Sequence, residues 1–402
     1  MSAKKNDKQE NDMTKEELVA RARELGPHLA ERAQKAEELR CLPEETYQAF
    51  KDAGFLRTFV PKEFGGYDLE FSTVIEVATE VGKYCGSSGW CVAIGSLHNW
   101  MVTNFPAAAQ EEVFGRTPDS VVCGVFMPGG VAKSVEGGYR LSGEWDFASG
   151  CDHSGHAILS ALLEDGPDGA ISGLANFMVR REDFDIRDNW NVAGLCGTGS
   201  KRVVVSDVHV PQDWAISLAE GAGGEQQGGT RGARNDGIQL PFNSVATLGL
   251  VGAALGVAKG AVAGFQARLA SKIRVGTFRG AEAQVGAQLR LAESATEVDG
   301  AELLALRDAE EMERTVALGQ PASSEQRGRY RRDAAYVFHV CARAVARLMP
   351  ASGAHSVFND APQQRALRDS QVMATHIVAD WDLARESYSR SLIDVPPEDP
   401  CY

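Results

Sequence analysis

Two histidines and one aromatic loop carry the side chains in this sequence that can do chemistry. The run Trp145-Asp146-Phe147-Ala148-Ser149-Gly150-Cys151-Asp152-His153 closes a strand-like segment and gathers aromatic rings, a hydroxyl and an imidazole in one loop. Read as structure, Trp145 and Phe147 belong to a core. Read as a site, a flat aromatic ligand packs on Trp145 while the Ser149 hydroxyl, or a nearby N–H, bonds a ring heteroatom. His98 sits in Leu97-His98-Asn99-Trp100 on an apolar helical stretch. A lone imidazole there is ordinarily a hydrogen-bonded core residue, yet it can also exchange a proton near neutral pH. His376 and Asp380 stand four apart, so on one helix they share a face and the carboxylate can orient or charge the imidazole. Cys151, Asp152 and His153 are consecutive and cannot all face one ion, and no second His/Cys cluster has ligand spacing, so no metal is expected. Gly194-Leu195-Cys196-Gly197-Thr198-Gly199-Ser200 has the spacing G-x-x-G-x-G and precedes a strand, whereas a dinucleotide loop must open a helix. It reads as a turn joining strands near a ligand. If no nicotinamide site exists anywhere in the chain, any reducing equivalents must arrive from another protein.

These residues need elements to position them. Residues 14–40 have helical spacing, with Pro27 placed to open a second helix. Pro43-Glu44-Glu45 starts a further helix that Gly54 stops, and Pro61 to Gly66 is turn-rich. Helical patterns follow over 72–84, 89–104 and 107–114. From about residue 120 the pattern changes to strands, at 121–126, 132–135, 139–147, 156–163, 172–179 and 201–210. A Gly- and Gln-rich stretch at 220–236 reads as a flexible loop. Helical pattern returns over 242–390, with long runs at 281–313, 325–348 and 362–391. Helices and strands are segregated rather than alternating, which predicts an α+β fold and excludes a Rossmann fold. The expected division is a disordered tail 1–12, an N-terminal α-helical domain 13–119, a middle β domain 120–212, a linker 213–238 and a C-terminal helical domain 239–402.

The chain has 402 residues, enough for two or three domains. Its net charge of −14, with no basic block, argues against nucleic acid as a partner. Eight cysteines without paired spacing, and no signal-type apolar stretch after the polar N-terminus, point to a reducing cytoplasm. The long apolar run at 247–265 contains Lys259 and a glycine at every fourth position, 252, 256, 260 and 264. Those glycines line one helix face and admit a close neighbour, so a tight bundle is expected and no membrane span.

Taken in order, these segments resemble the acyl-CoA dehydrogenase superfamily over nearly the whole chain from about Leu42. The carriers are Leu42-Pro43-Glu44-Glu45, Ala53-Gly54-Phe55 and Val60-Pro61-Lys62-Glu63-Phe64-Gly65-Gly66. To these are added Arg274 with Thr277-Phe278, Gln284 and Gln288, and the pair Arg368-Asp369. Within the superfamily, Leu97-His98-Asn99-Trp100, the run from Gly143 to His153, Gly197-Thr198-Gly199-Ser200 and His376 resemble the two-component flavin-dependent monooxygenases, similar to p-hydroxyphenylacetate and indole or polyketide hydroxylase oxygenases. Short-chain-type dehydrogenases would place a catalytic glutamate eight residues after the Asp of the Arg-Asp pair. Here that position is Ile377, which cannot remove a proton from a thioester.

The resemblance implies an N-terminal helical domain, a middle β barrel or sandwich and a C-terminal four-helix bundle, assembled as a homotetramer. It implies an oxygenase component that receives reduced flavin (FMNH2 or FADH2) from a separate NAD(P)H:flavin reductase. The flavin reacts with O2 to a C4a-hydroperoxyflavin, and a small aromatic or heteroaromatic substrate of phenol, indole or polyketide type is hydroxylated. The implied catalytic residues are His98, Ser149 at flavin N5, and His376 oriented by Asp380. Flavin contacts are expected from Phe126, Met127, Trp145, Phe147 and Ser149, with Arg274 and Phe278 supplied by a neighbouring chain. Substrate contacts are expected from His98, Trp100, Gly124 and His376. Phenol hydroxylases of this branch have a substrate-contacting serine where this chain reads Cys123-Gly124-Val125-Phe126, which favours a bulkier or less polar ring. An acyl-thioester dehydrogenase and a catalytically silent flavin-binding relative stand as the alternatives.

Overall fold

The computed structural model describes residues 13–164, 169–218, 240–271, 280 and 284–402. The expected tail 1–12 and the low-complexity stretch 220–236 lie outside them, as do Arg274, Thr277 and Phe278.

Helix α1 (Lys15–Leu39) begins at a capping box in which the Thr14 hydroxyl and the Glu17 carboxylate satisfy each other's backbone N–H groups. It runs as one helix through Pro27, where the sequence predicts a second start. A buried stripe at Leu18, Ala22, Leu29, Ala33 and Ala36 continues across the proline and outweighs its missing donor. Helix α2 (Glu44–Ala53) stops at Gly54, whose φ of 80° suits only a residue without Cβ. Helices α3 (Phe71–Gly82), α4 (Gly86–Val102) and α5 (Ala107–Phe114) complete the N-terminal layer.

The middle of the chain forms one seven-stranded sheet, β1 (Val122–Val135), β2 (Gly138–Ala148), β3 (His156–Glu164), β4 (Ile171–Arg180), β5 (Asp185–Arg187), β6 (Lys201–Pro211) and β7 (Ala215–Leu218), in the order β5-β6-β2-β1-β3-β4-β7. All neighbours are antiparallel except β1 and β3. The two strands expected at 121–126 and 132–135 are one long β1. The three-residue β5 and four-residue β7 have too little pattern to be read from sequence, and β7 extends the sheet into the span expected as linker.

Two of the sheet's four register shifts bear on the site. Between Val125 and Gly130 the β1–β3 register jumps, and between Trp145 and Ala148 the β2–β6 register shifts. Phe147, at the second of these, has φ 70°, an uncommon value for a bulky residue that turns its ring away from the core. Continuing the pairing of Gly130 with Gly143 brings the two bulges side by side on adjacent strands.

The chain then returns to helix: α6 (Phe242–Leu248), α7 (Val251–Ser271), α8 (Val285–Ala317), α9 (Ser324–Ser352), α10 (Pro362–Met373) and α11 (Trp381–Ser391). The apolar helical stretch Phe242–Ser271 is long enough to cross a membrane, yet 78% of its most apolar window is buried inside the protein. The glycine stripe works as expected. A Cβ at Gly252, Gly256 or Gly260 would meet the carbonyls of Ile75, Thr79 or Lys83 at 2.4, 2.5 and 2.2 Å, so α7 lies backbone to backbone on α3 and the turn after it. The run expected as a single helix over 362–391 is instead broken into α10, a short 3-10 turn Ile377–Ala379 and α11.

Candidate active site

Helix α4 is the axis of the site. Its Trp90 is buried, with the indole N–H donating to the Ser149 hydroxyl at 3.3 Å and its ring meeting the His376 imidazole edge-on at 5.3 Å. Ser149 and His376, about 230 residues apart in the chain, thus flank one tryptophan.

A chain of hydroxyls sets the polarity of Ser149. Thr198 Oγ1 donates to the Leu195 carbonyl at 2.9 Å, Ser200 Oγ lies 2.7 Å from Thr198 Oγ1, and Ser149 Oγ lies 2.7 Å from Ser200 Oγ. A carbonyl can only accept, so satisfying every link makes Ser200 donate to Thr198 and Ser149 donate to Ser200. Ser149 therefore accepts from Trp90 and keeps one lone pair free. The Gly194–Ser200 turn that carries this relay is held from α10: Asp369 Oδ1 accepts the Leu195 N–H at 2.6 Å, and Arg368 donates to the Ala193 carbonyl at 2.9 Å. Burial raises the Asp369 carboxyl to about 6.

His376 does not share a helix face with Asp380. It precedes the 3-10 turn, and its Nδ1 accepts the Val378 N–H at 3.3 Å. Asp380 instead caps α11, its Oδ1 accepting the Leu383 N–H at 3.0 Å. The expected orientation of His376 by Asp380 is thus corrected: the carboxylate is spent on the cap. With Nδ1 an acceptor, the neutral ring carries its proton on Nε2. Burial first, then the Arg331 charge, lower this imidazole to about 4.

His98 has the opposite polarity. It is 4% exposed, and its Nδ1 faces the Val122 carbonyl at 2.8 Å, so Nδ1 bears the proton and Nε2 is left as an acceptor. Burial lowers it to about 4 as well. A Cβ on Gly124 would lie 3.1 Å from His98 Nε2 and 3.2 Å from Phe126 Cζ, which shows how closely that glycine faces both rings. The rings His98, Phe126, Phe242 and Trp100 follow one another at 5.7, 5.9 and 5.8 Å between centroids. His98 and His376 stand at two levels of α4, since Trp90 and His98 are eight residues, or about 12 Å of helix rise, apart.

Trp145 is corrected too. Its ring is 1% exposed, packs on Gly129, Gly130 and Gly143, and donates its N–H to the Ser160 carbonyl at 2.7 Å. It has no face for a ligand. Cys151, Asp152 and His153 are held in structural contacts: Cys151 Sγ lies 3.4 Å from the Gly199 carbonyl, Asp152 pairs with Lys201 at 2.8 Å, and His153 bonds the Leu42 carbonyl at 2.7 Å with its ring tilted against Tyr47. By contrast Met127 and Phe147, at the two bulges, are 60% and 69% exposed, and Phe147 stands edge-on to Trp190. They present apolar surface, and the Phe147 carbonyl accepts the Ser149 N–H at 2.9 Å.

Sequence reasoning passed over Trp90, Ser200, Thr198 and Phe242. Trp90 on an apolar helix reads as core, and its partner Ser149 is 59 residues away. Ser200 and Thr198 were visible in the Gly197-Thr198-Gly199-Ser200 turn, whose hydroxyls beside a candidate loop were the available signal.

Comparison with known proteins gives two family matches, "Acyl-CoA dehydrogenase, N-terminal domain" over residues 8–115 and "Acyl-CoA dehydrogenase, C-terminal domain" over residues 248–381. The flavin-dependent monooxygenase oxygenase subunit HsaA of Mycobacterium tuberculosis is 31% identical over 387 residues, 95% of this chain and 96% of that protein. The oxygenase component of an FADH(2)-dependent resorcinol hydroxylase from Rhizobium is 31% identical over 393 residues, 95% of each chain. The solved structure of XiaF from Streptomyces, in complex with FADH2 and glycerol, superposes with a TM-score of 0.88 at 28% identity, covering 96% of this chain and 97% of that one.

Proposed function

This chain belongs to the acyl-CoA dehydrogenase family, among its flavin-dependent monooxygenase oxygenase components, and from that premise we propose that it hydroxylates a small aromatic or heteroaromatic molecule with O2 and reduced FMN or FAD. A separate NAD(P)H-dependent reductase supplies the reduced flavin, and the site is completed in a homotetramer in the reducing cytoplasm, to which eight free cysteines are suited.

The residues present fit a flavin. Met127 and Phe147 offer exposed apolar surface to a flat ring, and Ser149, two residues after Phe147, keeps a free lone pair for a polar edge. Reduced flavin, when bound, supplies the two electrons that activate O2 for transfer of one oxygen atom to the substrate. With the flavin bound, Ser149 would accept a hydrogen bond from its N5–H, and Trp90 and Ser200 keep Ser149 an acceptor. His376 would offer its Nε2–H to the oxygen to be transferred. His98, staying neutral, would accept a hydrogen bond from the hydroxyl or ring N–H of the substrate at Nε2 and so raise the nucleophilicity of the ring. Phe126, Trp100 and Phe242 line the substrate side, and Gly124, lacking a hydroxyl, favours a bulkier or less polar ring than a simple phenol.

The observation that carries this reading is the complementary polarity of the two imidazoles: both stay neutral, one offering a lone pair and the other an N–H. In the dehydrogenase alternative Ile377 occupies the position of the base. The test supplies enzymatically reduced FAD or FMN with a panel of phenols, indoles and polycyclic aromatics, and separately offers acyl-CoA to the protein with oxidised flavin under nitrogen. Hydroxylated product that depends on reduced flavin is expected; bleaching of the flavin by acyl-CoA, with no hydroxylation of any aromatic, would overturn the reading.

A further inference from the structure

The short turn that follows His376 is held by side chains from outside it. Arg331 of α9 is 1% exposed and donates to three of its carbonyls, Val378 at 2.6 Å, Ile377 at 3.1 Å and Asp380 at 3.4 Å. His339, also on α9, bonds the fourth, Ala379, at 2.9 Å. Every carbonyl from 377 to 380 is thereby tied to one helix.

Arg331 is itself fixed from the far end of the chain. Its Nε donates to Asp399 Oδ2 at 2.7 Å, with both side chains 1% exposed. Asp399 has no oxygen to spare: Oδ2 also accepts from Ser387 Oγ at 3.3 Å, and Oδ1 accepts the Cys401 N–H at 2.9 Å. Three residues on, the Tyr402 carbonyl accepts from Asn243 at 2.9 Å, and Asn243 neighbours Phe242 of the substrate side. The segment 399–402 therefore reaches both walls of the site.

A buried ion pair gives little net stability against an apolar replacement, so stability alone does not account for this one. A planar guanidinium with five fixed donors can hold three carbonyls and a carboxylate at once, which an ammonium cannot. We propose that Arg331 and Asp399 are positioning residues for His376: the pair fixes the turn whose Val378 N–H holds His376 Nδ1, and so aims Nε2–H at the reacting oxygen. The inference rests on the role read for His376 above.

The test uses Asp399→Asn, Arg331→Lys, His376→Ala and the double variant Asp399→Asn/His376→Ala in the full chain. The first readout needs no flavin: amide hydrogen exchange over residues 374–383, and the rate at which diethyl pyrocarbonate modifies His376 relative to exposed His28. Both rise in Asp399→Asn, and Arg331→Lys gives the same direction if Asp399→Asn folds poorly. The second is the rate at which protein-bound reduced FAD and O2 become oxidised FAD and H2O2. His376→Ala accelerates it, Asp399→Asn accelerates it by roughly three- to tenfold, the scale of one misplaced hydrogen bond, and the double variant is no faster than His376→Ala alone. If Asp399→Asn leaves His376 modification and H2O2 release unchanged while His376→Ala alters release, the positioning role is overturned and the reading of His376 stands. Additive effects in the double variant overturn it too. If His376→Ala changes nothing, the reading of His376 falls and the positioning role with it.

Discussion

An imidazole that stays neutral because it is buried makes the protein sensitive to acid. His98 titrates near 4 when folded and near 6.5 when unfolded, so between those values the unfolded chain binds more protons. The stability that neutral His98 contributes is complete above pH 6.5 and is lost as pH falls towards 4. From pH 7 to pH 5 this one residue removes about 2 kcal/mol. In His98→Gln the amide N–H can still reach the Val122 carbonyl, but nothing titrates. Denaturant midpoints at the two pH values, compared between wild type and variant, are expected to show the wild type losing more; equal losses would show that His98 charges as easily inside the fold as outside it. The same substitution replaces the imidazole Nε2, read here as the substrate's hydrogen-bond acceptor, by a far less basic amide oxygen, so hydroxylation should fall at pH 7 while the fold persists.

Asp380 shows how an element redirects a residue. As the cap of α11 it stabilises the helix start, and Asp380→Ala should lower stability by about 1 kcal/mol, seen as a lower melting temperature. Because its carboxylate does not touch His376, H2O2 release should stay near the wild-type rate, far from that of His376→Ala; equal acceleration in the two variants would return Asp380 to the role the helical spacing suggested. The four-residue spacing misled because it presumes one continuous helix, whereas an Asp three residues before Leu383 is itself a start signal. Where local signals agree, the sequence was legible to the residue. The 107–114 helix follows Pro106 and stops at Gly115, and the glycine stripe of α7 named its own close packing. Trp145 was misjudged because strand alternation cannot say which face meets a ligand, and only the bulge at Phe147 turns one ring out while the other stays in. Trp90 and Asp399 were missed because their partners lie 59 and 68 residues away, beyond any local pattern.

At the scale of the molecule, one face of α8 carries large exposed apolar side chains among the described residues. Val285, Leu289 and Leu303 are 58%, 65% and 71% exposed. At 100° per residue they fall within about 40° of one another around the helix, so they form a stripe rather than scattered surface residues. Large apolar side chains exposed on one helix face mark a surface for a partner, and the partner proposed here is another copy of this chain. The proposed assembly has a neighbouring chain complete the flavin site, so assembly and cofactor binding should be lost together. Light scattering is expected to give four times 43.2 kDa for the wild type. Leu289→Arg/Leu303→Arg should dissociate it and weaken anaerobic binding of reduced FAD by about tenfold or more, the equivalent of roughly 1.4 kcal/mol of lost contact. A dissociated variant that binds reduced flavin as tightly as the wild type would mean that each chain holds its cofactor alone, and would leave the stripe as a surface for assembly without a share in the site.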